Sequence, residues 1–190
     1  MIRIAVDYDG TIADTNLVKS EWLKKNMNID IPAWRCDRTL CETIIGSEKY
    51  NEMAEYVYGR ELSLGALEVR GARGGLKQLK KLGSVFLMTA RDDKMLPWAE
   101  MWLAEHGLRD DIDKVITNSG QPKLKLCHEY EINVLIDDDQ RHVFEPEPVD
   151  IKRILLKNGM YGNLDVPEYV ALCRNWGEVI MVVRKVSDVQ

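Results

Sequence analysis

Two aspartates one residue apart, at the end of an apolar run, are the first residues able to do chemistry: Ile2-Arg3-Ile4-Ala5-Val6 leads into Asp7-Tyr8-Asp9-Gly10-Thr11. The run alternates and is rich in β-branched residues, so it reads as a strand, and the Asp-Gly step turns the chain at its carboxyl end. Side chains at i and i+2 of an extended chain point the same way, which sets two like charges side by side unless a cation or a shared proton relieves them. That pairing is expensive in a core and useful where a nucleophile, an acid or a cation ligand is wanted. Further along, polar residues again follow apolar runs: Thr89, Ala90 and Arg91 after Val85-Phe86-Leu87-Met88, then Thr117, Asn118 and Lys123 after Val115-Ile116. Asp137-Asp138-Asp139 follows Val134-Leu135-Ile136.

The elements that must position these groups can be read from periodicity. The apolar runs, with Ile154-Leu155-Leu156 as a further one, are short and continuous, as expected of strands buried on both faces. Helical stripes separate them: Leu76, Leu79 and Leu82; Met95, Trp98, Ala99 and Trp102; and, in the tail, Trp176, Val179, Ile180 and Val183. Alternating strands and helices predict an α/β fold, a Rossmann-like parallel sheet with helices on both faces. The stretch 14–68 departs from this rhythm. It carries Val18/Trp22 and Leu23/Met27 pairs and a full stripe of Tyr50, Met53, Ala54, Val57 and Tyr58, with no strand of its own. The domain organisation expected is therefore an α/β core over 1–13 and 69–190, with a small helical cap, 14–68, inserted after the first strand.

Ligands of open α/β sheets bind at the carboxyl ends of the strands, so the polar residues above should converge in one crevice. Acids from two strands would make a hard oxygen site suited to Mg²⁺, and a lysine and a threonine would supply charge and a donor where phosphoryl charge develops. Composition permits such a site. A chain of 190 residues with 45% hydrophobic and 30% charged residues is of ordinary globular make-up. A net charge of -5 without a Lys/Arg-dense block argues against nucleic-acid duplexes as partners. No apolar stretch approaches the roughly 20 residues that span a bilayer, so neither a membrane helix nor a secretory signal is expected. Cys36, Cys41, Cys127 and Cys173 show no Cys-x-x-Cys spacing, which fits reduced thiols and a cytoplasmic location.

In the order and spacing of these four groups the chain resembles the haloacid dehalogenase superfamily. Asp7-Tyr8-Asp9-Gly10-Thr11 is similar to its first motif, Leu87-Met88-Thr89 to its second, Lys123 to its third and Leu135-Ile136-Asp137-Asp138 to its fourth. The resemblance implies a phosphatase, because an aspartate two residues after the nucleophile marks that branch rather than dehalogenases. It implies Asp7 as nucleophile, forming an aspartyl-phosphate, and Asp9 as general acid and base, its pKa raised by the adjacent negative charge. Thr89 and Lys123 would hold the phosphoryl group. Mg²⁺ would be held by Asp7, the main-chain carbonyl of Asp9 and Asp137, with Asp138 orienting a bound water. Thr11, Ala90 and Arg91 from the motif loops, and Arg35 and Arg38 from the cap, are the candidate substrate contacts. The small helical cap and the Asp-Asp fourth motif are similar to those of cytosolic 5'-nucleotidases and deoxyribonucleotidases, which implies a small phosphorylated metabolite, a nucleoside 5'-monophosphate among the options.

Each residue also has a plainer reading. Thr89 can be a strand-end hydroxyl bonding its own backbone, and Lys125 competes with Lys123, although Lys123 opens its helix directly after Pro122. Asp139 reads as an N-cap or a solvated acid, Asp92 and Asp93 as caps, and Asp110, Asp111 and Asp113 as a solvated loop. His106, His128 and His142 lack metal-ligand spacing and read as surface or packing residues. Trp34 can plug the cap's own core as readily as it can stack on a substrate. Alternative functions are a sugar-phosphate phosphatase or phosphotransferase on the same fold, a signalling receiver domain and a non-catalytic phosphate-binding protein.

Overall fold

The computed structural model describes residues 1–118, 120–145 and 150–188. Six strands form one sheet in the order β3-β2-β1-β4-β5-β6, comprising β1 (Ile2–Val6), β2 (Gly83–Thr89), β3 (Lys114–Thr117), β4 (Val134–Asp137), β5 (Lys152–Leu156) and β6 (Val170–Cys173). Every neighbouring pair is parallel. The first five strands lie on the apolar runs noted above. The sixth, Val170-Ala171-Leu172-Cys173, is an apolar run not singled out above; it forms the edge of the sheet, with Ala171 and Leu172 half-buried.

Side-chain alternation along the strands decides which face each residue serves. Ile4, Val6, Val134, Ile136, Ile154 and Leu156 pack under α5 (Ala72–Leu82), α6 (Leu96–Glu105) and α9 (Trp176–Ser187). Ala5, Leu135 and Leu155 point the other way, beneath α7 (Lys123–Glu129) and α8 (Gln140–Val143). Continuing that period of two places Asp7 and Asp137 on the α7 side, where Lys123 begins its helix. The chain builds outward from β1 to β3, then returns to lay β4 on the opposite side of β1. The crevice at such a reversal is where ligands of open α/β sheets bind.

Between β1 and α5 the chain forms α1 (Thr15–Met27), a 3-10 turn (Ala33–Arg35), α2 (Arg38–Ile45), α3 (Ser47–Val57) and α4 (Arg60–Leu64). Leu23, Ile31, Cys41, Met53 and Val57 give these helices an apolar cluster apart from the two that flank the sheet. Among the described residues this segment has no strand, only the bridges Asp9–Ala13 and Ala13–Glu68. The Gly71–Gly75 stretch is a helix start, with Gly71 capping α5 at φ +92°. One acid expected to be solvated is structural: Asp113 pairs with Lys80 and accepts the Val85 N–H at 2.8 Å.

Candidate active site

At the carboxyl ends of β1 and β4 the main chains are stitched together, the Asp7 N–H donating to the Ile136 carbonyl at 2.9 Å. Oxygens of Asp7, Asp137 and Asp138 converge within 4.8 Å of one another, and all three residues are buried. Lys123 reaches this group from the first residue of α7, its Nζ donating to Asp7 Oδ1 at 2.5 Å and to Asp137 Oδ2 at 2.7 Å. One lysine against three buried carboxylates leaves an excess of negative charge. Burial, above all, drives the Asp7 carboxyl up to about 7; the Asp137 charge adds to the rise and Lys123 only partly opposes it. Burial and the charges of Asp7 and Asp137 push Asp138 well up in the same way. A hard, all-oxygen donor set of three buried carboxylates, two of them raised chiefly by burial and only partly countered by positive charge, is chemically matched to a divalent cation.

Gly10 lets the two acidic loops nest. It takes φ +76°, and a Cβ there would stand 2.3 Å from both Asp138 Oδ2 and Asn16 Nδ2. Asn16 donates to that carboxylate at 2.5 Å and accepts from Lys19 at 3.1 Å, so α1 enters the site through a row of polar residues. Thr15, Asn16 and Lys19 are the buried face of that helix together with Leu23. Lys19 is only 3% exposed. Burial works against its charge, but Tyr50, Tyr58, Asp138 and Asp9 outweigh burial and hold the ammonium well above its usual pKa.

Asp9 does not join the acidic cluster, and its electrostatics are opposite to those expected. Arg91, at the end of β2, grips it with a two-pronged pair, Nε to Oδ2 at 3.0 Å and Nη2 to Oδ1 at 2.8 Å. Burial would raise the Asp9 carboxyl, yet the Arg91 charge and hydrogen bonds, with Lys19 and Thr15, more than offset it and leave the pKa below the usual value. Local like-charge repulsion thus loses to a partner 82 residues away. The same guanidinium donates to Ser63 Oγ at 2.5 Å and lies over the rings of Tyr8 and Tyr58.

These groups open onto a cavity of about 180 Å³ walled by the strand ends below and the capping helices above. Asp7, Asp9, Ala90, Arg91, Asp137 and Asp138 line it from the core; Lys19, Arg38, Tyr50, Asn51 and Tyr58 line it from the helical segment. Three candidate residues are placed elsewhere or otherwise. Thr11 is fully buried away from the cavity, and its carbonyl accepts the Trp176 indole N–H at 3.1 Å. Arg35 lies against Trp34, which packs edge-on to Tyr161 outside this cavity rather than in the helical segment's core. The buried Thr89 hydroxyl accepts the Arg91 N–H at 3.2 Å and does not line the cavity. Lys125 is exposed. Asp139 caps α8 as expected, but it is buried and paired with Arg141 and Thr39 rather than solvated. Asp92 caps the turn before α6 through the N–H groups of Lys94 and Met95. His106 stacks on Trp102, and His142 is buried in the cavity wall, where desolvation drives its imidazole down to about 4.

Lys19, Asn16, Tyr50, Tyr58, Asn51 and Arg141 complete the site without having been singled out by the sequence. For α1 there was a signal: a polar stripe at helical spacing, Thr15, Asn16 and Lys19, immediately after the first motif. No described helix is long and apolar enough to cross a membrane.

No protein-family model and no curated protein matches the chain. Solved structures do. The chain is similar to a haloacid dehalogenase-like family hydrolase from Streptococcus pneumoniae, at 13% identity and a TM-score of 0.65 over 96% of this chain and 98% of that one. It is similar to a HAD family hydrolase from Deinococcus radiodurans with bound phosphate and sodium, at 12% identity and a TM-score of 0.62 over 97% and 95%. The L-2-haloacid dehalogenase of Xanthobacter autotrophicus aligns at 14% identity and a TM-score of 0.58 over 97% and 99%. End-to-end coverage at this similarity, with the acids at the β1 and β4 tips, gives the protein the haloacid dehalogenase-like hydrolase fold.

Proposed function

We propose that the protein is a Mg²⁺-dependent phosphomonoester hydrolase that works through an aspartyl-phosphate on Asp7, on a small phosphorylated metabolite. The observation that carries this reading is the three-carboxylate cluster of Asp7, Asp137 and Asp138 bridged by Lys123. A haloalkanoic acid needs no second cation at its reacting carbon, whereas a phosphate dianion approaching a carboxylate does. The acidic pair one residue apart, with Asp9 facing the cavity, supports the same choice. The Deinococcus neighbour, solved with phosphate bound, is in keeping with it.

Asp7, Asp137 and Asp138 would hold the ion, which when bound offsets the repulsion between Asp7 and the incoming phosphate. Asp7, its main chain fixed in the sheet, attacks phosphorus in line. Lys123 neutralises charge on Asp7 and on the phosphoryl oxygens. Asp9 then protonates the leaving oxygen and later takes a proton from the attacking water. As it stands, Asp9 is an ionised acceptor clamped by Arg91, so the proton requires a change of partner. A substrate anion seated in the cavity competes for the guanidinium and releases the carboxyl. The capping helices exclude water during the first step and supply Lys19 and Arg38 as further cationic contacts, with Arg141 added from α8.

A nucleoside 5'-monophosphate fits the two tyrosines of the wall. A sugar phosphate is the second reading, favoured because Tyr50 carries Lys19 and Arg38 against its ring and Tyr58 carries Lys19 and Arg91, which leaves polar contacts rather than free aromatic faces. A cytosolic site of action accords with four free cysteines. The test is phosphate release with Mg²⁺ from a panel of nucleoside monophosphates, sugar phosphates and an aryl phosphate, with chelator controls and Asp7→Asn. Chelator-sensitive release lost in Asp7→Asn is expected; turnover retained in that variant would overturn the covalent route.

A further inference from the structure

Lys157, just beyond β5, is 1% exposed and belongs to none of the motifs. Its backbone is tied to the edge strand, N–H to the Cys173 carbonyl at 2.8 Å. Its ammonium makes two bonds in opposite directions: to the Asp138 main-chain carbonyl at 2.5 Å, and to Asp37 Oδ2 at 2.6 Å. Asp37 is equally buried and sits 120 residues away in the helical segment, where it caps α2 through the Leu40 N–H at 3.0 Å. A second link runs alongside. Thr39 Oγ1 donates to Asp139 Oδ1 at 2.5 Å, and the Asp139 N–H donates to Asp137 Oδ1 at 2.9 Å. The amino end of α2 is therefore fastened to the 137–139 loop at two points, and both fastenings end on the backbone or carboxylates that shape the cation site. A buried ion pair contributes little net stability over an apolar replacement of similar volume, so its value here is positional.

We propose that Lys157 is a positioning residue that couples the helical cap to the metal-binding loop: the Asp37–Lys157–Asp138 clasp, with Thr39–Asp139 beside it, sets the carboxylate geometry only when α2 is seated. This rests on the reading of Asp7, Asp137 and Asp138 as a Mg²⁺ site. Residues that hold metal ligands from behind typically change metal affinity roughly 10–100-fold when removed.

The experiment is calorimetric titration of the purified, metal-free protein with Mg²⁺ alone, with no substrate present, for the unaltered chain, Lys157→Met, Asp37→Asn, Thr39→Val and the Lys157→Met/Asp37→Asn double variant. Thermal unfolding of each in chelator checks that it is folded. The expected result is Mg²⁺ binding weakened roughly 10–100-fold in Lys157→Met. Asp37→Asn and Thr39→Val should move in the same direction although neither residue belongs to the acidic cluster. The double variant should bind no more weakly than Lys157→Met, since the two changes break one link. Should Lys157→Met not fold, Asp37→Asn and Thr39→Val carry the test. Equal affinity in Asp37→Asn, Thr39→Val and the unaltered chain would overturn the coupling and leave the metal site standing. No Mg²⁺ uptake by the unaltered chain would overturn the metal site and the coupling with it.

Discussion

Removing Mg²⁺ should expose the charge imbalance at the strand ends, and the pH dependence of that effect follows from Asp7. Without a cation its carboxyl sits at about 7 against a usual 3.8, chiefly because it is buried. The folded chain therefore holds a proton there between about pH 4 and 7 that the unfolded chain has already released, so this group's contribution to stability falls as pH rises through that window. His142 works in the opposite sense: driven down to about 4 from 6.5, it resists the charge it would gain on acidification, and its contribution grows as pH rises from 4 to 6.5. A plain stability profile mixes the two. The difference between Mg²⁺-loaded and chelated protein separates them, because His142 is common to both arms whereas the cation must displace the Asp7 proton. One proton displaced makes apparent Mg²⁺ affinity rise about tenfold per pH unit well below 7 and levels off near it, hence about 50-fold between pH 5 and 7, worth about 2.3 kcal/mol. For a chain of this size that is a growth of roughly 5–9 °C in the Mg²⁺-dependent increment of Tm. Thermal unfolding in saturating Mg²⁺ and in chelator, at intervals from pH 5 to 8, measures it. An increment that stays level with pH would refute the assignment of Asp7 as a carboxyl kept protonated by burial, and an absent increment would refute the cation site.

Asp9→Asn keeps an acceptor for Arg91 but has no proton to give, so kcat should fall roughly 10²–10⁴-fold for an ester with a poor leaving group and much less for an activated aryl phosphate; equal losses on both would show that Asp9 is not the acid. Lys19→Met removes a buried cation from the cavity wall and should raise KM on the order of 10–100-fold, the worth of a charged hydrogen bond, with kcat nearly unchanged in steady-state assays. Gly10→Ala forces φ +76° on a side chain that also collides with Asp138 and Asn16, so a loss of more than about 1–2 kcal/mol and weakened Mg²⁺ binding are expected in denaturant titration and calorimetry. Lys125→Ala, at an exposed position two residues from Lys123, should leave turnover and stability unchanged within about 0.5 kcal/mol, and a large loss would reverse the choice between the two lysines.

What could be read from the sequence is what short-range pattern encodes. Apolar runs that end in Asp7, Thr89 and Asp137 locate both the sheet and its polar rim, since a buried parallel strand and the turn after it are written in consecutive residues. Lys123 was legible because Pro122 fixes where its helix begins. Partners across the fold were not. Asp9 looks like one half of a repelling pair until Arg91 is brought to it from the end of β2, and nothing beside Asp37 in the chain announces Lys157, which reaches it from just beyond β5. Tyr50 and Tyr58 were legible as members of an apolar stripe, but that stripe faces both a small core and the cavity, and periodicity does not say where one ends. Thr11 and Arg35 show the converse: polar residues singled out in the sequence that do not line the cavity, one buried at a motif loop and one lying against Trp34.

The hydrogen bond from the Asp7 amide to Ile136 has a consequence for the temperature dependence of the reaction. Because Asp7 grows directly from a ladder of parallel strands, its backbone entropy is surrendered when the sheet forms and, as the proposed nucleophile, would not be surrendered again at each turnover. The helices above keep an apolar cluster of their own and meet the strand ends through a few polar links, so ordering on substrate binding would fall to them and to the 137–139 loop they fasten. On the proposed reaction, the activation entropy would accordingly lie in how those helices settle on the substrate, with Asp7 approaching its transition state already ordered.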